Sequence, residues 1–336
     1  HRDLHSFPTR RSSDLEALAV GDALGMPTEF MTREYIKQNF GFVSSIIDPQ
    51  FSLIHKNLAR ASITDDTEQN LYLIETYCGS GKITIENTVD GLLSWIKESG
   101  ADRKGYIGPS SMKALKAIED GEDPLKAGLG ATTCGAPMRA PAAALCSISR
   151  CGIELAEDIY RCSVPTHNTS SAMEAAMAIG FAVKAAVEGE GMRNILKAAS
   201  EGMGYAAGFG VPEFAGPSTL WRTRYFTRAL FRCSDIEEIL DTLYFVNGTG
   251  LQAYEVVPAV LTIFSKAKED VWLAIRMGAS VGGDTDTIAA LAGLLSTLYA
   301  GEHNIPRQIV EDVVMTNRLD LSRYASLITK RQQMIP

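Results

Sequence analysis

The sequence predicts one all-α domain. Three observations lead there. Apolar positions recur at helical spacing through most of the 336 residues, segments alternating with a period of two are almost absent, and no linker, composition shift or fixed-period repeat divides the chain. With 46% hydrophobic and 21% charged residues, the composition suits a globular protein able to bury a sizeable core. A formal net charge of -8 argues against nonspecific binding to a nucleic-acid backbone, although a local basic pocket for a phosphate stays open. No nucleic-acid partner is expected. The six cysteines, Cys78, Cys134, Cys146, Cys151, Cys162 and Cys233, form no CxxC pair, and no secretory signal precedes them. Reduced thiols in a cytoplasmic protein are expected. No uninterrupted apolar run approaches about 18 residues, so no membrane span is expected.

Residues 1–15 are basic and polar, with neither a helix period nor the apolar centre of a signal peptide. They resemble a translated sequencing-adapter segment joined to a truncated gene and are expected to be non-native, which leaves residues 16–336 as the domain. Residues 16–24 read as its first helix, with Gly21 and Gly25 allowing close packing and Pro27 ending it. After an irregular stretch around residues 40–61, a helix over 67–77 is stopped by Gly79 and Gly81. Helices over 88–98 and 110–119 follow, the latter stopped by Gly121. Residues 128–141 read as a Gly/Thr/Pro-rich loop, then 142–149 and 153–163 as short helices. Residues 169–188 form a long apolar helix and 195–207 another, while 208–223, with Pro212 and Pro217, form a loop. Helices over 235–245, 254–267, 271–278, 287–300 and 309–318 complete the domain.

Two segments concentrate chemistry. Gly282-Gly283-Asp284-Thr285-Asp286-Thr287 sets two carboxylates and two hydroxyls close together, after a Gly-Gly that lets the backbone turn sharply. Far upstream, Thr64-Asp65-Asp66-Thr67 stands likewise at the start of an apolar helix. Each alone reads first as a helix start, with Thr or Asp capping and Glu68 closing a capping box after Asp65. Duplication changes that balance. Adjacent carboxylates repel one another unless a cation neutralises them, and clustered hard oxygens suit Mg²⁺, Mn²⁺ or Ca²⁺. The two helix starts are therefore expected to meet around metal ions. An EF-hand is excluded, because the glycine and glutamate that such a loop requires are replaced by Ala289 and Leu295. Glu29, just after Pro27, is placed to face the cleft as an orienter or base for water. His167 reads by itself as a packed or capping histidine. A GxGxxA pattern at 248–253 has no βαβ context and is discounted as a dinucleotide site.

Taken together, GDALGMPTEF, TDDT, GATTCGAPMRAP, THNTSSA, NGTGLQAYEVVPAVL and VGGDTDTIAALAG resemble the ADP-ribosylglycohydrolases, in the family's order and over residues 16 to about 300. The resemblance implies an orthogonal helical bundle with a binuclear centre of two Mg²⁺ (or Mn²⁺) ions. It implies hydrolysis of the glycosidic bond at C1″ of ADP-ribose attached to a protein side chain or small conjugate. Carried over by position, the metal ligands are Thr64, Asp65, Asp66, Asp284, Asp286 and Thr287, and the catalytic residues Glu29, Asp65 and Asp286. Gly135, Ala136, Met138 and His167 correspond to substrate-binding positions. Relatives more often read Gly-Asn-Gly where this chain has Thr133-Cys134-Gly135. Two alternatives remain: a non-catalytic crystallin-like relative, and a hydrolase of another nucleotide or glycoside.

Overall fold

The computed structural model describes residues 7–149, 152–212 and 217–334. Cys151 and residues 1–6 of the N-terminal segment lie outside them. Among the described residues there are eighteen α-helices and no strand, with two isolated backbone bridges, Thr133 to Gln252 and Thr169 to Val211.

Two helices, Ser170–Val187 and Thr285–Ala300, are apolar on nearly every face and so are driven to the centre. Ser170–Val187 is long and apolar enough to cross a membrane by composition alone, yet 78% of that stretch is buried inside the bundle. It packs against Gly135–Cys146, Gly152–Ser163, Met192–Tyr205 and Ala253–Ala267. Thr285–Ala300 runs between Phe7–Gly25 and Val271–Ser280, and separates two apolar clusters that share it.

Glycines set how near these helices come. A Cβ on Gly21 would lie 2.5 Å from the Ala289 carbonyl oxygen, and one on Gly25 would lie 2.4 Å from that of Thr285. The close packing expected of this pair is thus a backbone-on-backbone crossing, and it fixes the end of Phe7–Gly25 against the start of Thr285–Ala300.

The fold departs from the sequence expectation in definite places. The first helix spans Phe7–Gly25, with Asp14 and Leu15 buried. The expected loop over 128–141 ends early, because Gly135–Cys146 is one helix running through Pro141. A proline interrupts the helical ladder, and Asn70 repairs it: its amide donates to the Met138 carbonyl (2.7 Å) while its carbonyl accepts from Ala142 N–H (2.9 Å). The expected loop over 208–223 gives way to Thr219–Ala229, whose start is capped by Ser218. Arg33–Asn39 and Leu321–Gln332 are additional helices, capped by Thr32 and Asp320. Both are short and amphipathic, and tertiary packing rather than a strong apolar period stabilises them.

Candidate active site

The helix starts at Asp65 and Thr285 converge on the loop that leaves Phe7–Gly25. Gly282 and Gly283, at φ of 87° and 80°, make the turn that aims Asp284 and Asp286 inward. That turn is tied on both sides. Phe30 N–H donates to the Gly283 carbonyl (2.8 Å), Gly283 N–H to Met31 (3.0 Å), and Asp284 N–H to the Thr249 carbonyl (2.7 Å). Thr285 faces away from the cluster: its hydroxyl donates to the Gly25 carbonyl at 2.8 Å and accepts from Thr28 at 3.1 Å.

The cap of Asp65–Ser80 comes from another helix. Asp22, fully buried, accepts from the backbone N–H groups and hydroxyls of both Thr64 and Thr67 at 2.6–3.1 Å. No capping box forms, since Glu68 instead accepts from Trp95 Nε1 (2.7 Å) and Tyr106 O–H (2.6 Å). Asp22 lies within 4.8 Å of carboxylate oxygens of Asp66 and Asp286. Its own two oxygens already accept from the two threonines, which makes it a buttress under the site rather than an open ligand.

Glu29, Asp65, Asp66, Asp284, Asp286 and Thr287 line one cavity of about 50 Å³. All six are buried. Burial raises the pKa of Glu29, Asp65, Asp66 and Asp284 well above the usual carboxylate range, and the nearby Asp286 charge adds to each. The same causes push Asp22 up to about 7. One oxygen each of Asp66, Asp284 and Asp286 is buried without a hydrogen-bond partner. Buried carboxylate oxygens without donors are expensive, and three converging on one cavity fit a cationic occupant. One hydroxyl fits it as well. Thr287 lines the cavity and gives its proton to Asp66 (3.1 Å), which leaves oxygen lone pairs for coordination, whereas Thr64, whose hydroxyl donates to Asp22 (2.8 Å), is not among the lining residues.

His55, from the irregular stretch over 40–61, completes the cluster. Its Nε2 is 2.5 Å from Glu29 Oε2, and Glu29, His55 and Asp286 offer ligand atoms within 4.8 Å of one another. Burial lowers the His55 pKa, with Asp286 opposing it.

Gly135 and Met138 line the cavity beside Thr133 and Cys134, whereas Ala136 packs into the apolar core. Cys134 lies 3.9 Å from the Thr287 hydroxyl, and burial raises its thiol pKa well above the ordinary value. His167 is fully buried one layer behind the loop and does not line the cavity. It belongs to a chain of donors. Arg139 donates to Thr166, Thr166 to His167 Nδ1 (2.8 Å), His167 Nε2 to Thr133 (2.8 Å), and Thr133 to Ser110 (3.0 Å). This ordering assigns the imidazole proton to Nε2, and burial beside Arg139 keeps the ring neutral. A Cβ on Gly135 would lie 2.5 Å from the ring, so His167 supports the loop from below.

Asp22, His55, Asn70 and Arg139 were not singled out from the sequence. Asp22 sits inside the GDALG segment, where its spacing from the other acids carries no signal. His55 stands alone in irregular sequence and nothing local marks it.

The family profile of the ADP-ribosylglycohydrolases matches residues 15–334, which takes in the helical bundle and both acidic helix starts. The chain belongs to this family. Among its relatives is the uncharacterized protein YegU of Escherichia coli (strain K12), 29% identical over 317 residues and covering 94% of this chain and 95% of its own. The ADP-ribosyl-[dinitrogen reductase] glycohydrolase of Rhodospirillum rubrum is 25% identical over 290 residues, covering 86% of this chain and 85% of that one. A solved structure titled ADP-ribosylglycohydrolase-related protein complex shares the fold, with a TM-score of 0.70 and 22% identity over 99% of this chain and 100% of that one.

Proposed function

We propose that the protein is a metal-dependent hydrolase releasing ADP-ribose from a modified protein side chain or small conjugate. Two Mg²⁺ or Mn²⁺ ions would be held by Thr64, Asp65, Asp66, Asp284, Asp286 and Thr287. The observation that carries the reading is the convergence of three unpartnered buried carboxylate oxygens, from two helix starts far apart in sequence, on one cavity. Membership of the family and the named activity of the Rhodospirillum rubrum relative support the substrate class.

When bound, the ions would bind ribose hydroxyls and lower the pKa of a bound water. The chain's own residues do the rest. Glu29, held by His55, orients or deprotonates the attacking water at the anomeric carbon, where the bond breaks through an oxocarbenium-like state. Asp65 and Asp286 supply negative charge that offsets the developing positive charge on the ring. Thr133, Cys134 and Gly135 line the cavity, and because Cys134 N–H donates to the Leu251 carbonyl (2.9 Å), it is the helix start at Gly135 that is suited to a phosphate oxygen. An acidic protein then accepts a polyanion through cations and amides rather than through net charge.

The test is release of ADP-ribose from arginine-, serine- and acetyl-linked conjugates, with and without Mg²⁺ or Mn²⁺. Metal-dependent release from one of them is expected. Absence of release from all three by folded, metal-loaded protein would defeat the proposal.

A further inference from the structure

A second, larger cavity lies on another face. Of about 860 Å³, it is a groove between the helices Met192–Tyr205 and Thr219–Ala229, and it shares no lining residue with the carboxylate cavity. Among the described residues its lining includes Arg193, Arg224, Arg228 and Arg232 and no carboxylate. In a chain of net charge -8, this is a strong local reversal of sign. Among the described residues none of these four arginines makes an ion pair. Unpaired like charges gathered in one groove repel each other, and an anion relieves that.

The groove is also aromatic. Trp221 is 70% exposed and Phe231 77% exposed, and the Arg224 guanidinium lies 5.7 Å from the Trp221 ring centroid. Flat ring faces left open beside guanidinium planes suit the stacking of a nucleobase. The scaffold is held firmly. Glu174 accepts from Ser218 (2.8 Å) and Thr219 N–H (2.8 Å) at the helix start, and Lys266 donates to the carbonyls of Leu230 (2.8 Å) and Phe231 (3.1 Å) at its end. Thr219, Thr223 and Phe226 face inward, which turns Trp221, Arg224 and Arg228 to the groove.

We infer that this groove binds a mononucleotide with a polyphosphate tail, its base stacked on Trp221 and its phosphates held by Arg193, Arg228 and Arg232. Guanidinium forks match phosphate oxygens bidentately, and the volume falls within the range of small-ligand sites. A carboxylate-rich peptide would satisfy the charges but leave the flat aromatic faces unused. A membrane surface would not fill a concavity.

The test uses the whole chain in chelator, so that the carboxylate cavity lacks metal, with ADP as the probe and calorimetry as the readout. ADP is expected to bind, with inorganic pyrophosphate weaker because it lacks the base. Trp221→Ala and Arg228→Ala/Arg232→Ala are each expected to weaken ADP binding on the order of tenfold or more, while Asp286→Ala leaves it unchanged. All these exchanges are at exposed positions or relieve repulsion, and circular dichroism verifies folding. No ADP binding at millimolar concentration would overturn the inference, as would binding unaffected by the arginine exchange. Pyrophosphate binding as tightly as ADP would overturn the nucleotide assignment, and so would a preference for an oligo-glutamate peptide or a single-stranded oligonucleotide over ADP. None of these results depends on the hydrolase proposal.

Discussion

The crossing of Phe7–Gly25 and Thr285–Ala300 can be tested with one methyl group. In Gly25→Ala the new Cβ would lie 2.4 Å from the Thr285 carbonyl oxygen and 2.5 Å from Asp286 Cα. The obstructing atoms are backbone on a buried helix, so they cannot swing aside, and relief needs a shift of about 1 Å between the helices. Overpacking of this kind costs about 1–3 kcal/mol. Better helix propensity of Ala over Gly returns at most about 1 kcal/mol, so overpacking wins. With an unfolding entropy of about 2.1 cal/mol/K per residue, a net loss of about 1–2 kcal/mol lowers Tm by about 1.5–3 °C. The same shift moves Asp284 and Asp286 relative to Asp65 and Asp66, and a 1 Å misplacement can cost about 100-fold in turnover. Differential scanning calorimetry and ADP-ribose release would measure the two effects. Gly79→Ala is the control: nothing lies within 4 Å of its Cβ position, so it should be neutral or slightly stabilising. If Gly25→Ala matched the wild type in both Tm and turnover, the close-crossing account would be wrong.

Other expectations follow from the charge cluster. Asp286→Ala should abolish ADP-ribose release, yet in chelator it should keep or raise Tm, because Asp286 adds repulsion to Asp22, Glu29, Asp65, Asp66 and Asp284; a metal-free Tm several degrees lower would contradict this. Asp22 titrates near 7 in the fold against an ordinary 3.8, so the folded state holds a proton that the unfolded chain has released. Its contribution is therefore complete below about pH 4 and is lost as pH rises towards about 7. Divalent metal replaces such protons, so Mg²⁺ should raise Tm more at pH 8 than at pH 5, and equal gains at both pH values would refute the linkage. Glu29→Gln should lower turnover far more than metal affinity, read by calorimetry beside kinetics; a pure affinity loss would remove its role in handling water.

Much of this protein was legible as sequence, for physical reasons that particular residues show. Helical apolar spacing forces an all-α bundle, because each stripe must find a partner face. Crowded acids at 64–67 and 284–287 marked a shared site, since carboxylates so close repel one another, and the structure brings Asp65, Asp66, Asp284 and Asp286 to one cavity. Other features escaped. The first turns of the helix through Pro141 read as a loop in the sequence, because their repair comes from Asn70, some seventy positions away. Glu68 matched a capping box by spacing, but the actual cap is Asp22, reached only once two helices cross.

The chain's order of residues thus determined the fold class, the two acidic helix starts and Glu29 in the loop after Pro27 upstream of both, which follow from local spacing, like-charge repulsion and the proline. Only the tertiary structure decided which groups meet. It set Asp22 beneath Thr64 and Thr67 and His55 against Glu29. It put His167 behind the loop rather than in the cavity, and turned four arginines and a tryptophan into one groove. Apart from the groove, where only Arg193 is remote from the rest, these are distances between residues separated in sequence, fixed by how closely Gly21 and Gly25 let two helices approach and by where the buried hydrogen bonds close.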